Sequence, residues 1–209
     1  MLVLGLTGYA SRHQKMKTIT KTKEKGTGSV RIIGGEWRGR RLPVPDLPGL
    51  RPSGDRCRET LFNWLQPHIR GATCVDLFAG SGSLGMEAAS RGAAEVILIE
   101  KLNLAARILR ENVTRMDAEN VKVIAIDALQ WLHGCAAASL DIAFVDPPFG
   151  IQLESRALEL INIRNCIRPG GFVYVETARD MSLAGPQPGW EITKEKVIGD
   201  VRMVLLKKI

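Results

Sequence analysis

Asp146-Pro-Pro-Phe-Gly150 is the segment of this 209-residue chain most committed to one kind of chemistry. Two successive prolines fix φ and supply no N–H, so the carbonyls of Asp146 and Pro147 are not consumed by a turn or a helix. With the Asp146 carboxylate they form a cluster of acceptors only. Such a cluster selects a group with two N–H donors, a planar amine. Phe149 beside it, after Pro148, offers a flat apolar face for an unstacked base. An aromatic amine is a poor nucleophile, because its lone pair is delocalised into the ring. Hydrogen bonds to Asp146 and the Pro147 carbonyl pull the nitrogen toward tetrahedral geometry. They also stabilise the positive charge that develops as it attacks an electrophilic carbon, and alignment supplies the rest.

A second constellation is Val75-Asp-Leu-Phe-Ala-Gly-Ser-Gly-Ser-Leu-Gly85. Gly80, Gly82 and Gly85 satisfy GxGxxG, which lets backbone approach a ligand at a helix N-terminus. The spacing alone fits a dinucleotide and S-adenosylmethionine equally. Asp76 separates the two: a buried carboxylate before the loop repels a pyrophosphate and suits a sulfonium and an α-amino group. Phe78, Ala79 and Ser81 complete the loop that would line this cofactor site. Glu100, about 20 residues on, is placed for ribose hydroxyls. Asp127, with Ala128 after it, is placed for an adenine amine and, compatibly, as a helix N-cap. Cys57, Cys74, Cys135 and Cys166 form no CxxC pair, and His13, His68 and His133 are scattered. No metal is therefore expected, and the thiols read as reduced and buried, as in a cytoplasmic protein.

Elements able to position these residues are legible from residue 72 onward. Strands are expected at Thr73–Phe78, Glu95–Glu100, Val121–Asp127, Leu140–Val145 and Gly171–Thr177. Helices are expected at Ser83–Arg91, Leu102–Met116, Ala128–Cys135 and Leu153–Asn165. Nearly continuous apolar strands alternating with helices mean a parallel sheet covered on both faces. Trp190–Val197 and Val201–Lys207 follow with no helix between them, so they predict a C-terminal antiparallel hairpin. Before this domain, Val30–Ile33 and Arg40–Val44 flank a Gly34-Gly35 turn as a small hairpin. Asp55–Leu65 reads as a helix, capped by Ser53 or Asp55. Trp64, Trp131 and Trp190 read as core.

Charge is divided along the same line. The chain carries a net +7; residues 1–70 hold 14 basic and 5 acidic side chains, and residues 71–209 hold 15 and 17. A concentrated basic excess points to a polyanion contact from the N-terminal third. Lys15–Lys25, inside residues 1–28, reads as a disordered arm. Residues 29–70 read as a nucleic-acid-binding extension: Arg38, Arg40 and Arg41 suit phosphates, with Trp37 as a stacking surface. Arg56 and Arg58 are divided evenly between ion pairs with Asp55 and Glu59 and a contact to the cofactor carboxylate. No apolar run reaches the roughly 20 residues a bilayer requires, so no membrane contact is expected.

Together these segments resemble a class I S-adenosylmethionine-dependent methyltransferase with a D-P-P-F/Y motif. Arg31-Ile-Ile-Gly-Gly-Glu-Trp-Arg-Gly-Arg-Arg-Leu-Pro-Val-Pro45 and Gly49-Leu-Arg-Pro-Ser-Gly-Asp-Arg-Cys-Arg-Glu-Thr-Leu-Phe-Asn-Trp64 narrow this to a resemblance with the bacterial RsmD family. The resemblance covers about residues 30–209. It implies a Rossmann-like α/β fold, a mostly parallel seven-stranded sheet ending in an antiparallel hairpin, with a small N-terminal hairpin and helix. It implies methylation of N2 of guanine 966 in 16S ribosomal RNA, with S-adenosylhomocysteine as product; the expected partner is naked RNA or a small-subunit assembly particle, and a monomer is expected. Arg51–Glu59 would border cofactor and RNA, and Asp146–Phe149 would hold the base. Ser53-Gly54 and Cys57 depart from the family pattern. Three alternatives stand beside it. One is the same chemistry on another amine, such as adenine N6 in DNA or a glutamine amide. Another is a nicotinamide oxidoreductase, which would leave Asp146-Pro-Pro-Phe without a role. The third is a non-catalytic RNA-binding module that keeps an inactive cofactor fold.

Overall fold

A computed structural model describes residues 28–44, 54–148, 152–181 and 188–209. The basic arm before Gly28, Arg51, Ser53 and Phe149 lie outside the described residues. β1 (Gly28–Arg31) and β2 (Arg41–Val44) pair antiparallel, and α1 (Asp55–Leu65) follows. The alternating part comprises β3 (Thr73–Asp76), α2 (Ser83–Ser90), β4 (Glu95–Ile99), α3 (Asn103–Met116), β5 (Val121–Ile124), α4 (Ala128–His133), β6 (Leu140–Val145), α5 (Leu153–Ile163) and β7 (Ile167–Ala178). β8 (Trp190–Ile198) and β9 (Val201–Lys208) close the chain.

The main sheet has the order β5-β4-β3-β6-β7-β9-β8, parallel from β5 to β7 and antiparallel at β7–β9 and β9–β8. The expected parallel sheet with a C-terminal hairpin is found. Side chains alternate across it. Cys74, Phe144 and Tyr174 enter one apolar cluster with α1, α2 and α3, while Val75, Val145 and Val175 enter the other with α4 and α5. β3 and β5 end at Asp76 and Ile124, before the apolar runs do, because the chain turns into loops there. Among the described residues no helix is long and apolar enough to cross a membrane. All four cysteines are free and buried.

The small hairpin and α1 share the first cluster through Ile32, Trp37, Leu42, Leu61 and Phe62. Trp37 is buried, so the stacking surface expected of it is absent from the surface; its ring packs inward against the sheet's helices. α1 is preceded at its N-cap by Gly54, with no side-chain cap, so Asp55 does not cap it. Instead Asp55 accepts from Arg58 at 2.6 Å.

Arg58 itself is 1% exposed. It donates to the Arg31 carbonyl at 2.9 Å and lies 3.7 Å from Glu87. Its expected contact with RNA gives way to an internal role, because a guanidinium sealed between β1, α1 and α2 presents nothing outward. Glu87 on α2 is fully buried and gathers the docking contacts. Its oxygens accept the Ile33 and Gly34 amides, each at 2.8 Å, and Arg91 Nε at 2.8 Å. Arg91 also lies 5.0 Å over the Phe62 ring. Ser90 adds a pair, accepting from the Trp37 amide and donating to the Gly34 carbonyl. Gly35, at φ +77°, lies so close to the Ser90 carbonyl that a Cβ would collide with backbone.

Removing one member of a buried ion pair leaves the other uncompensated, at a cost of about 3–5 kcal/mol. Glu87→Ala is therefore expected to lose stability of that order in urea unfolding and to expose the hairpin to protease. A loss under about 1 kcal/mol would mean that Arg58 and the two amides find water instead.

Candidate active site

The strand ends β3, β4, β5 and β6 deliver a carboxylate or its loop to one edge of the sheet, where open α/β sheets hold ligands. Asp76 ends β3 and is 2% exposed. Its Oδ2 accepts from the Gly85 amide at 3.0 Å, while Oδ1 is buried without a hydrogen bond of sound geometry. Burial raises its pKa to about 7; the Gly85 amide opposes this and the neighbouring Asp146 adds to it. A buried carboxylate whose donors are backbone amides only, Gly85 and more weakly Phe78, fits a cationic ligand group better than a phosphate.

The glycine loop is shaped for close approach. Gly80 and Gly82 have positive φ, at 51° and 77°, a region L-residues seldom enter. Gly85 is packed so tightly on β4 that a Cβ would collide with Leu98. Ala79 and Ser81 are buried and Phe78 is half-buried. Glu100 follows β4; its Oε2 accepts the Gly80 amide at 2.9 Å and its Oε1 the Leu102 amide at 2.7 Å. Each carboxylate oxygen has a second lone pair, so Glu100 orders the loop and still has acceptors for ribose hydroxyls.

Asp127 caps α4, accepting from the Leu129 and Gln130 amides at 3.0 and 3.3 Å, and pairs with Lys101 at 3.2 Å. Burial would raise its pKa, but Lys101 and the two amides outweigh that and lower it. Ala128 behind it is buried. The capping reading of Asp127 is thus realised. Asp76, Gly80, Gly82 and Glu100 form one connected set, and these residues fit S-adenosylmethionine.

Asp146 follows β6 and is half-buried; Pro147 is buried and Pro148 exposed. Phe144, two residues before Asp146, is level with Asp76, so the motif stands just beyond the cofactor loop. Arg38, Arg40, Arg41 and Arg56 are exposed. Arg40 donates to the Arg115 carbonyl at the end of α3, 2.8 Å, and Arg41 to Ser29 Oγ, 3.1 Å. The basic hairpin face thereby joins α3.

One residue beside the motif was not anticipated. Glu176 on β7 is 3% exposed and accepts from the Tyr174 hydroxyl at 2.6 Å. The only signal available was a carboxylate inside the apolar run Gly171–Thr177. Nothing local connects it to Asp146, because the link is made by strand pairing across about 30 residues of chain.

Comparison with known proteins adds an independent line. A family model described as conserved hypothetical protein 95 matches residues 30–207. Two proteins named ribosomal RNA small subunit methyltransferase D are similar to the chain. The one from Escherichia coli is 43% identical over 90% of this chain and 94% of its own length. That from Haemophilus influenzae is 43% identical over 89% and 96%. A solved structure described as a putative methyltransferase from Escherichia coli superposes with a TM-score of 0.80 at 41% identity, covering 87% of this chain and 98% of that one.

The raised pKa of Asp76 has two measurable consequences. A cationic amine binds its ionised form, so cofactor affinity is expected to rise between pH 6 and 8, by up to about tenfold per unit below the midpoint. The contribution of Asp76 to stability has the opposite sign. It is complete below the ordinary carboxylate value near 4 and is lost as pH rises through about 7. Asp76→Asn should therefore match or exceed the parent protein's melting temperature at pH 8, while binding the cofactor weakly at every pH. Calorimetric titration and thermal melts over pH 6–8 check both; a pH-independent affinity in the parent protein would refute the assignment.

Proposed function

The chain belongs to the RsmD family, the family described as conserved hypothetical protein 95, and from that premise we infer that it methylates the exocyclic N2 of a guanine in 16S ribosomal RNA, guanine 966 by family resemblance. The observation that carries this reading is the acceptor-only motif at Asp146–Pro147, one step along the sheet edge from the buried carboxylate of Asp76. The names of the relatives support ribosomal RNA as the substrate. S-adenosylmethionine would supply an electrophilic methyl group.

The chain's own residues then have separable tasks. Asp76 meets the cationic amino end of the cofactor. Gly80 and Gly82 admit its backbone-facing side, and Glu100 and Asp127 take the ribose and adenine. Asp146 and the Pro147 carbonyl accept the two N–H groups of the target amine and stabilise its developing charge. Phe149 stacks on the base. Arg38, Arg40, Arg41, Arg51 and Arg56 hold phosphates and set register without reading sequence. The extension of residues 29–70 is the RNA-contacting part, and residues 71–209 carry the transfer site. The enzyme works in the cytoplasm as a monomer on 16S RNA or on a small-subunit particle.

The decisive experiment is transfer of labelled methyl from S-adenosylmethionine to 16S RNA and to small-subunit particles, followed by nucleoside analysis. N2-methylguanosine is expected; N6-methyladenosine would overturn the reading. Asp146→Ala should cut turnover by about 100- to 1,000-fold with cofactor affinity little changed. Equal loss of both would make Asp146 structural.

A separate measurement addresses the basic face. Changing Arg38, Arg40 and Arg41 together to Ala should weaken RNA binding and flatten its salt dependence. The expected change is roughly 0.7–0.9 in log–log slope per lost phosphate contact. An unaltered slope would place the phosphate contacts elsewhere.

A further inference from the structure

Glu176 is a buried carboxylate to which the reading above gives no task. Its place in the sheet ties it to the amine site. β6 and β7 are parallel with Val145 opposite Val175, so Asp146 and Glu176 follow side by side at the same end of adjacent strands. By the alternation of the strands they share the face of Phe144 and Tyr174. The Tyr174 hydroxyl, two residues back on that face, donates to Glu176 Oε1.

The titratable groups acting on Glu176 come from three strands: Asp146 after β6, Asp76 at the end of β3, and Tyr174 on β7 itself. Cys57 on α1 also faces it, with Arg56 of α1 and Lys196 of β8 acting on the same thiol. Burial and then the Asp146 charge push Glu176 up to about 8, against the Tyr174 hydrogen bond. The same surroundings push the Cys57 thiol up to about 11, so that thiol does not compete as a base. A carboxylate held near operating pH is suited to receiving a proton, and perturbed groups beside a reaction centre are candidates for that work.

We propose that Glu176 is the proton-accepting partner of Asp146: the proton released by the methylated amine passes through the Asp146 carboxylate to Glu176, which Tyr174 holds in place. This rests on the amine-methylating reading above. The nitrogen lone pair forms the new bond to the methyl carbon as the sulfur–methyl bond breaks, and the sulfonium becomes a neutral thioether. The nitrogen is then cationic. It keeps the N–H electron pair when its proton leaves for Asp146, which passes the proton on and is ionised again. Glu176 ends neutral and returns its proton to water before the next cycle. Glu176 acts through Asp146 and is in this sense a positioning residue.

Two variants and two readouts test the proposal. Carbon-detected NMR of glutamate-labelled protein identifies the Glu176 carboxyl by its loss in Glu176→Gln. Its midpoint in the unliganded protein is expected near 8. Tyr174→Phe removes a donor to the ionised form and should move that midpoint upward. Single-turnover methyl transfer is then followed against pH. The parent rate should rise through an ionisation that Tyr174→Phe shifts in the same direction. Glu176→Gln should lower the rate by roughly 100-fold and flatten the profile, with cofactor affinity within about twofold of the parent.

A Glu176→Gln rate and pH profile equal to the parent's would overturn the proposal, as would a Glu176 midpoint below 5 or a Tyr174→Phe profile that does not move. If Glu176→Gln does not fold, the Tyr174→Phe shift decides alone. A parent protein that transfers no methyl to the RNA amine would refute the functional reading instead, and the two failures are thus distinct.

Discussion

Glu87 is the contact on which the arrangement of the site depends. It sits on α2, the helix that begins directly after the glycine loop, and it is fully buried. A buried carboxylate is tolerated only when charges and donors surround it, and here they come from three places. Ile33 and Gly34 belong to the turn of the small hairpin, Arg58 to α1, and Arg91 to the chain just beyond α2. One side chain thereby joins the basic extension to the helix that follows the glycine loop. If the hairpin undocks, Glu87 keeps Arg91 and Arg58 but loses the two amide donors that satisfy it in the core.

The sheet edge gathers Asp76, Glu100, Asp146 and Glu176 with little positive charge among them. Such crowding is unfavourable in the empty protein and raises Asp76 and Glu176 well above the ordinary carboxylate range. On the proposed reading, a cationic cofactor and a polarised amine would relieve it. The edge is thus held in a state that its ligands complete, a local cost kept because the surrounding sheet over-determines it. Among the described residues before β3, the excess positive charge is kept apart on the hairpin, since the two arginines of α1 are matched by Asp55 and Glu59. The acidic sheet end and the basic hairpin are thus surfaces of opposite sign, as the proposed cationic cofactor and polyanionic substrate would require.

Sequence periodicity carried the fold a long way. Leu140–Val145 and Asp55–Leu65 coincide with the observed elements, because apolar runs bounded by turn residues leave few options. The terminal pair was also legible, since no crossover helix separates β8 from β9. Less legible were the ends of β3 and β5. There an apolar pattern continues past the last paired residue of the strand, and the backbone leaves the ladder with only single bonds, Leu77 to the Phe144 carbonyl and Ile126 to the Glu100 carbonyl. Capping of α1 was misread for a related reason: Asp55 is a good capping residue in isolation, but a buried arginine three residues on takes its carboxylate.

At the candidate site, residues whose proposed role follows from their own chemistry and their neighbours in the chain can be singled out from the sequence alone. The glycine spacing, Asp76 before it, and the acceptors of Asp146-Pro-Pro belong to this group, because each is a local statement about backbone freedom or missing donors. Only the tertiary structure settled the fate of residues whose partners lie far along the chain. Arg58 and Trp37 look like surface groups for RNA beside their basic neighbours, yet Glu87 and the apolar cluster draw both inside. Glu176 looks like a stray carboxylate in a strand until the β6–β7 register sets it beside Asp146. Burial and pairing are properties of the packed sheet, and a charge's role changes with them.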